Sequence, residues 1–310
     1  MFIRQDGPNL EILAPAKLNL FLEVTGKRSD GFHELDMLMV PVALFDTLTV
    51  SLLDNSDIHL LARWAHGLQR QPELPPAEDN LVYRALCLFQ NTVFNLNQQR
   101  PGYRVELIKR IPAAAGLGGA SSDAAAALVA ANQLAGTILT TEQMLKIAAE
   151  VGSDVPFFLY CSPARCQGRG EVVTPVTAGQ RLPLVLVKPE QGLSTPAVFA
   201  RLADIGGQDT HLIEPMLTAF NKGDLVSIAK SLHNRLLKPA LAQLPVLQEL
   251  SGKLAELNMP GYQMTGSGST FFMICRHQNQ AKKLASRLRQ MKLGTVIDTY
   301  TLDQPFGWAA

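Results

Sequence analysis

No cysteine pair at redox spacing, no apolar run of membrane length, no surplus of either charge and no internal repeat marks this 310-residue chain. Each absence removes a class of protein. Its four cysteines, Cys87, Cys161, Cys166 and Cys275, contain no C-x-x-C, so neither a disulfide framework nor a thioredoxin-like motif is expected. Cys161 and Cys166 lack the second pair that a four-ligand zinc site needs. Thiols in a reducing compartment are the expectation. The N-terminus reads Met-Phe-Ile-Arg-Gln-Asp-Gly-Pro, without the apolar core of a secretory signal. The run from Met37 to Phe45 is far shorter than a membrane span and contains Pro41. A cytoplasmic location is therefore expected. With a formal net charge of +1, no overall field draws the chain to nucleic acid or to a membrane, and neither partner is expected. An anionic ligand must be captured by a local site.

What is present is ordinary core-forming composition: 47% hydrophobic and 18% charged residues, over a length that suggests two domains. The proline-bearing stretch from Leu68 to Asp79 reads as a loop, with Asp79 or Asn80 capping a helix whose buried face is Leu81, Ala85, Phe89, Val93 and Leu96. Tyr103, Val105 and Leu107 alternate with charged residues, as in a half-buried strand. An Ala-rich helix starts at Ser121 and stops near Gly136; Thr140 with Gln143 forms a capping box for the next helix, which Gly152 ends. Further on, 182–187 reads as a buried strand, 225–237 and 241–257 as helices, 270–274 as a strand, 280–291 as a helix and 295–301 as a last strand. The pattern is α+β, with a domain boundary near residue 165, giving units 1–165 and 166–310.

Between the strand and the Ala-rich helix lies Pro112-Ala113-Ala114-Ala115-Gly116-Leu117-Gly118-Gly119-Ala120-Ser121-Ser122. A helix N-terminus offers unpaired N–H groups and partial positive charge, and glycines let backbone approach an anion. Two serine hydroxyls and the preceding cations Lys109 and Arg110 complete a phosphate cradle. A plain turn admitting a small-residue helix is the alternative. The loop lacks the Gly-Lys-Ser/Thr ending of a Walker A motif, does not open an evident βαβ unit as a dinucleotide fingerprint would, and is not accompanied by protein-kinase signatures.

This loop resembles the nucleotide motif of the GHMP kinases, named for galacto-, homoserine, mevalonate and phosphomevalonate kinases. Two more of the family's motifs appear in the right order, Pro15-Ala16-Lys17-Leu18-Asn19-Leu20 before the loop and Thr265-Gly266-Ser267-Gly268-Ser269 after it. The segments Gly26-Lys27-Arg28-Ser29-Asp30-Gly31-Phe32-His33, Asp79-Asn80-Leu81 and Gly152-Ser153-Asp154-Val155-Pro156 match a subgroup whose acceptor is a cytidine diphosphate sugar-alcohol. The likeness covers nearly the whole chain and is least specific over 203–260. Departures are few: Ala115 and Ala120 stand where glycine is common, and Phe32 where tyrosine is frequent.

The resemblance implies a two-domain GHMP kinase fold, with an N-terminal nucleotide-binding domain of ribosomal-protein-like βαβ topology and a C-terminal ferredoxin-like domain, to which the final strand either belongs or from which it returns to the first. It implies ATP with Mg²⁺, a small-molecule substrate, and a monomer or weak homodimer. Asp154 would accept or orient the acceptor hydroxyl, and Lys17 would stabilise the moving phosphoryl group. Residues Pro112 to Ser122 would hold the triphosphate, with Asn80 and Lys109 near the adenine. Asn19, Phe32, His33, Thr195 and Phe199 would meet the acceptor, and Gly266 and Gly268 its diphosphate. No protein ligand for the metal is named. Alone, Asp154 reads as a helix cap, Lys17 as a strand residue reaching solvent, Phe199 as core and Gly266-Ser267-Gly268 as a simple turn. Two other readings are a GHMP kinase with a different acceptor and a non-catalytic nucleotide sensor. Phe32-His33 argues against the first, and the joint presence of Lys17 and Asp154 against the second.

Overall fold

The computed structural model describes residues 1–68, 72–205 and 210–303, with the side chains of 203 and 204 left aside. The large sheet runs in the order β1 (Phe2–Asp6), β2 (Asn9–Lys27), β3 (His33–Leu53), β5 (Gly102–Lys109), β4 (Ile58–Trp64). Neighbours are antiparallel except β4 and β5, which run parallel and are joined through helix α1 (Leu81–Asn97), the βαβ unit of this half. Strands β6 (Ala164–Gly168) and β7 (Val172–Pro175) extend the same sheet from β3. The second sheet holds β8 (Pro183–Lys188), β10 (Gly261–Met264), β11 (Phe271–Ile274) and β12 (Thr295–Tyr300), in the order β10-β11-β8-β12 and wholly antiparallel. That is ferredoxin-like strand order. Chain therefore passes from one sheet to the other between Pro175 and Pro183, later than residue 165. The last strand belongs to the second sheet, although Thr301 just beyond it bridges back to Val42. A two-residue strand β9 (His233–Asn234) returns to pair with β2.

Helix α2 (Gly119–Leu134) packs between α1 and the sheet, and every residue from Ser122 to Asn132 is buried. Alanine brings the helix close to β2 without loss of helix propensity. Helix α3 (Thr141–Val151) carries the expected capping box, with both reciprocal bonds present, and Gly152 ends it. Helix α4 (Val155–Tyr160) follows after three residues, with Pro156 in its first turn. Beyond β8 come α5 (Thr195–Ile205), α6 (Glu214–Lys222), α7 (Leu225–Ser231), α8 (Leu237–Gln243), α9 (Pro245–Ala255) and α10 (Gln278–Gln290).

Three expectations need correction. Periodicity over 225–237 and 241–257 is not two long helices. The pairing of His233 with Phe21 interrupts the first, and Pro245, which cannot donate to a preceding turn, breaks the second. Leu96, assigned to the buried face of α1, is 53% exposed, since burial along that helix stops at Val93. The Ala-rich helix begins at Gly119, so its first turn is part of the glycine loop itself. Of the stretch 68–79, residues 69–71 lie outside the described residues; Ala77–Asp79 form a 3₁₀ turn leading to the Asn80 cap. No helix among the described residues is long and apolar enough to cross a membrane.

Candidate active site

The three motifs, far apart in sequence, are hydrogen-bonded into one wall. The N–H of Lys17 donates to the carbonyl of Leu117 at 2.9 Å, the N–H of Asn19 to Thr265 Oγ1 at 3.0 Å, Thr265 Oγ1 to the carbonyl of Gly116 at 3.3 Å, and the N–H of Thr270 to the carbonyl of Ala115 at 3.3 Å. The register of β2 against β3 shifts between Pro15 and Ala16 and again between Asn19 and Phe21, so irregularities flank Lys17 and Asn19. Bulges re-aim side chains beside active sites, and here they frame the pair.

Lys17 is buried, not reaching solvent. Its ammonium donates to Asn19 Oδ1 at 2.7 Å and lies 3.5 Å from Asp154 Oδ2. Asp154 occupies the N-cap position of α4 yet makes no side-chain cap bond. Its carboxylate is instead turned toward Lys17 and the cleft, which sets aside the capping reading. Gly152 ends one helix and Pro156 starts the next, pinning Ser153-Asp154 between them. The β6–β7 hairpin backs this link: a Cβ at Gly170 (φ +120°) would stand 3.2 Å from the Ser153 carbonyl.

In the loop, Ala114, Gly116 and Gly118 all have positive φ (49°, 72° and 70°), an alternation that turns successive N–H groups into one concavity. Gly118 caps α2 without any side-chain acceptor, leaving first-turn N–H groups for an anion. The two serines part company: Ser121 lines the cleft, whereas Ser122 Oγ is buried outside it with no hydrogen-bond partner among the described residues. The preceding cations are also placed differently from expectation. Lys109 Nζ is held between the carboxylates of Asp46 and Asp123, and Arg110 bonds to Thr47 at the surface. The loop's positive character therefore comes from backbone. Burial and the neighbouring Asp46 carboxylate push the Asp123 carboxyl up, opposed by Lys109. Its Oδ1 has no partner among the described residues.

Gly116 is where loop and Thr265 turn touch: a Cβ there would lie 2.2 Å from the Thr265 carbonyl oxygen. Backbone cannot yield as a side chain can. Gly116→Ala is expected to lower stability by about 2–4 kcal/mol, from overpacking plus the positive φ, and to raise the apparent KM for ATP at least tenfold. Thermal melting and initial rates check both.

These parts line one cleft of about 1020 Å³, at the upper end of small-molecule sites and roomy enough for two ligands. Lys17, Asn19, Asp154, Phe32, His33, Asn80, Lys109, Thr195, Phe199, Gly266, Gly268 and the loop from Pro112 to Ser121 all contribute. Asn80 Oδ1 is committed to the N–H of Val82 as helix cap, so only its amide NH₂ remains for a ligand. Thr195 Oγ1 is 2.7 Å from Ser267 Oγ, tying α5 to the turn. His33 stacks on Phe199, with ring centroids 4.8 Å apart, so Phe199 is at the site and not plain core. Phe32 is half exposed and carries the Arg169 guanidinium over its ring at 4.9 Å. Burial and the Lys27 charge lower the His33 pKa, favouring the neutral ring.

Sequence reasoning missed several residues. Arg169 left no signal, because a lone Arg in a polar hairpin looks like surface. Trp64, Leu74 and Pro75 add apolar surface to the same cleft. Asn234, buried, donates to the carbonyls of Met264 (2.8 Å) and Gly266 (2.9 Å) and so holds the turn from behind.

Comparison with known proteins agrees with this geometry. Residues 80–162 match the GHMP kinases N terminal domain and residues 216–292 the GHMP kinases C terminal domain. The chain is 38% identical over 278 residues to 4-diphosphocytidyl-2-C-methyl-D-erythritol kinase of Pelotomaculum thermopropionicum, covering 90% of this chain and 93% of that one. It is 36% identical to the enzyme of that name from Exiguobacterium sibiricum, with the same coverage. A solved structure of 4-(cytidine 5'-diphospho)-2C-methyl-D-erythritol kinase superposes with a TM-score of 0.76 at 33% identity, over 94% of this chain and 98% of that one. Homoserine kinase from Cytophaga hutchinsonii, 17% identical, shares the fold at a TM-score of 0.73 over 98% of both chains. The chain belongs to the GHMP kinase family, within its group of 4-diphosphocytidyl-2-C-methyl-D-erythritol kinases.

Proposed function

We propose that this chain transfers the γ-phosphoryl group of ATP to the 2-hydroxyl of 4-diphosphocytidyl-2-C-methyl-D-erythritol, a step of the non-mevalonate isoprenoid pathway. The observation that carries the reading is the Lys17–Asp154 pair, 3.5 Å apart, in one cleft with the phosphate loop and the His33–Phe199 stack. In the reaction the acceptor oxygen attacks the γ-phosphorus, the bond from that phosphorus to the β–γ bridging oxygen breaks, and ADP leaves. Asp154 takes the hydroxyl proton or orients the hydroxyl. Lys17 stabilises negative charge on the equatorial phosphoryl oxygens. The loop N–H groups fix the donor phosphates, since phosphoryl transfer asks mainly for alignment and charge stabilisation. Magnesium, when bound with the nucleotide, would neutralise phosphate charge. The unpartnered Oδ1 of Asp123, on a residue lining the cleft, would hold it directly or through water, the ion's charge favouring the ionised carboxylate that burial and Asp46 oppose.

A neutral His33 offers one N–H and one lone pair, a match for the amino and carbonyl edge of cytosine. Protonation removes the acceptor. Because the His33 pKa is lowered from the ordinary 6.5, the competent form persists at neutrality and is lost only as pH falls below that range. The KM for acceptor is expected to rise about tenfold on that acid limb, the worth of one hydrogen bond, with kcat less affected. His33→Gln should flatten the profile. ADP release measured over a panel of alcohols tests the assignment: it should occur only with the cytidine diphosphate substrate. Turnover of homoserine or mevalonate instead would leave only the family.

A further inference from the structure

Outside the cleft, one buried carboxylate gathers two histidines from distant parts of the chain. Leu22 lines the cleft, so Glu23, the next residue of β2, faces the opposite side. Glu23 is 1% exposed. Its Oε1 accepts the N–H of Val24 at 2.9 Å and faces Arg235 Nε at 3.6 Å. Its Oε2 accepts the backbone N–H of His211 at 3.0 Å and stands 3.1 Å from His233 Nε2 and 3.5 Å from His211 Nδ1. The two imidazoles stack on each other with centroids 4.0 Å apart.

We propose that Glu23, His211 and His233 form a binding site for a divalent transition-metal ion of the zinc class. Around a tetrahedral ion with bonds of about 2.0–2.2 Å, ligand atoms sit about 3.3–3.6 Å apart. The two contacts of Glu23 Oε2, at 3.1 and 3.5 Å, already have nearly that spacing. All three donor atoms lie within 4.8 Å of one another. Closing the remaining edge falls to His211, whose side chain is 55% exposed and would turn off its stack on His233 to do so. Two imidazole nitrogens with one carboxylate suit zinc, copper or nickel and disfavour magnesium, so the nucleotide's metal does not compete. The other carboxylate oxygen is fixed by Val24 and Arg235, which orients the ligand as outer-shell partners do. The exposed side, at His211, leaves a coordination position for water.

Such an ion would tie β2, β9 and the segment before α6 into one unit. Strand β9 continues into Asn234, the residue that grips the Gly266 turn. The site therefore stiffens the frame behind the cleft without touching a ligand, and it stands independently of the kinase assignment.

The test uses the full chain, stripped with a chelator and titrated calorimetrically with zinc chloride alone. One ion per chain is expected. Zinc at about 100-fold over its Kd should raise Tm by about 5 °C through binding to the folded state only. Cobalt should give the intense visible bands of a four-coordinate ion. His211→Ala, a mostly exposed side chain that leaves the fold intact, should weaken zinc at least tenfold while kcat stays within twofold. Glu23→Gln should lose it as well. Absence of binding to the wild-type chain, or equal binding by His211→Ala, would overturn the site and leave the cluster as a histidine–carboxylate ion pair.

Discussion

Asp154→Asn is expected to lower kcat by about 10²–10⁴-fold, the usual worth of general-base help, with ATP affinity changed less than twofold. Asparagine has the same shape and still offers an oxygen to the acceptor hydroxyl, but it cannot take a proton and loses the attraction of Lys17. Because Asp154 makes no cap bond to α4, the substitution should leave that helix intact, while loss of the counter-charge beside the buried Lys17 ammonium lowers the melting temperature by a few degrees without unfolding the chain. The loss therefore reports chemistry and not folding. Comparison with Asp154→Ala separates its two roles. If the carboxylate chiefly orients the hydroxyl, asparagine should outperform alanine by about tenfold, one retained hydrogen bond. If it chiefly removes the proton, the two variants should be equally slow. Single-turnover rates at saturating ATP and acceptor measure this, and an unchanged rate for Asp154→Asn takes the residue out of the mechanism.

How much of this was legible in sequence depends on the range of the physics involved. Local rules read well. The Thr140–Gln143 box, the Asn80 cap and the strand alternation at 103–107 each rest on residues within one turn or one strand, and each stands in the structure. The glycine loop was readable for the same reason, since its positive φ values are a local demand. Failures came where a partner remote in sequence decided the outcome. Lys109 looked like an available cation until Asp46, a residue of β3, and Asp123 enclosed it. Ser122 carried the right atom on the wrong side of α2, one residue out of phase with Ser121. The helical periodicity through 225–237 concealed β9, because a two-residue strand has too few side chains to show alternation. Lys17 and Asp154 could be paired only through the family likeness. Nothing local in either segment says that two residues 137 positions apart lie 3.5 Å from each other.

That pairing makes Lys17 the second site of large effect. Lys17→Met is expected to cost about 10²–10³-fold in kcat, as loss of one preorganised electrostatic group does, and to raise the KM for ATP. Methionine fills the space of the lysine stem, which passes so close to the phosphate loop that a Cβ at Gly118 would lie 2.9 Å from Lys17 Cγ. Stability carries two opposing changes. The carboxamide oxygen of Asn19, fully buried, loses its 2.7 Å donor, worth about 1–3 kcal/mol. Removal of a buried ammonium relieves a desolvation cost of similar size. A shift in Tm of only a few degrees is therefore expected beside a large loss of rate. Lys17→Arg should not restore activity, because the wider guanidinium meets Gly266 backbone, so near that a Cβ on it would be 3.3 Å from Lys17 Nζ. The double variant Lys17→Met/Asp154→Asn supplies the sharper test. Groups that act as one unit lose most of their effect with the first substitution, so the combined loss should fall well short of the product of the two single losses. Full multiplicativity would mean that the 3.5 Å ion pair is a structural contact and that each residue acts on the reaction separately.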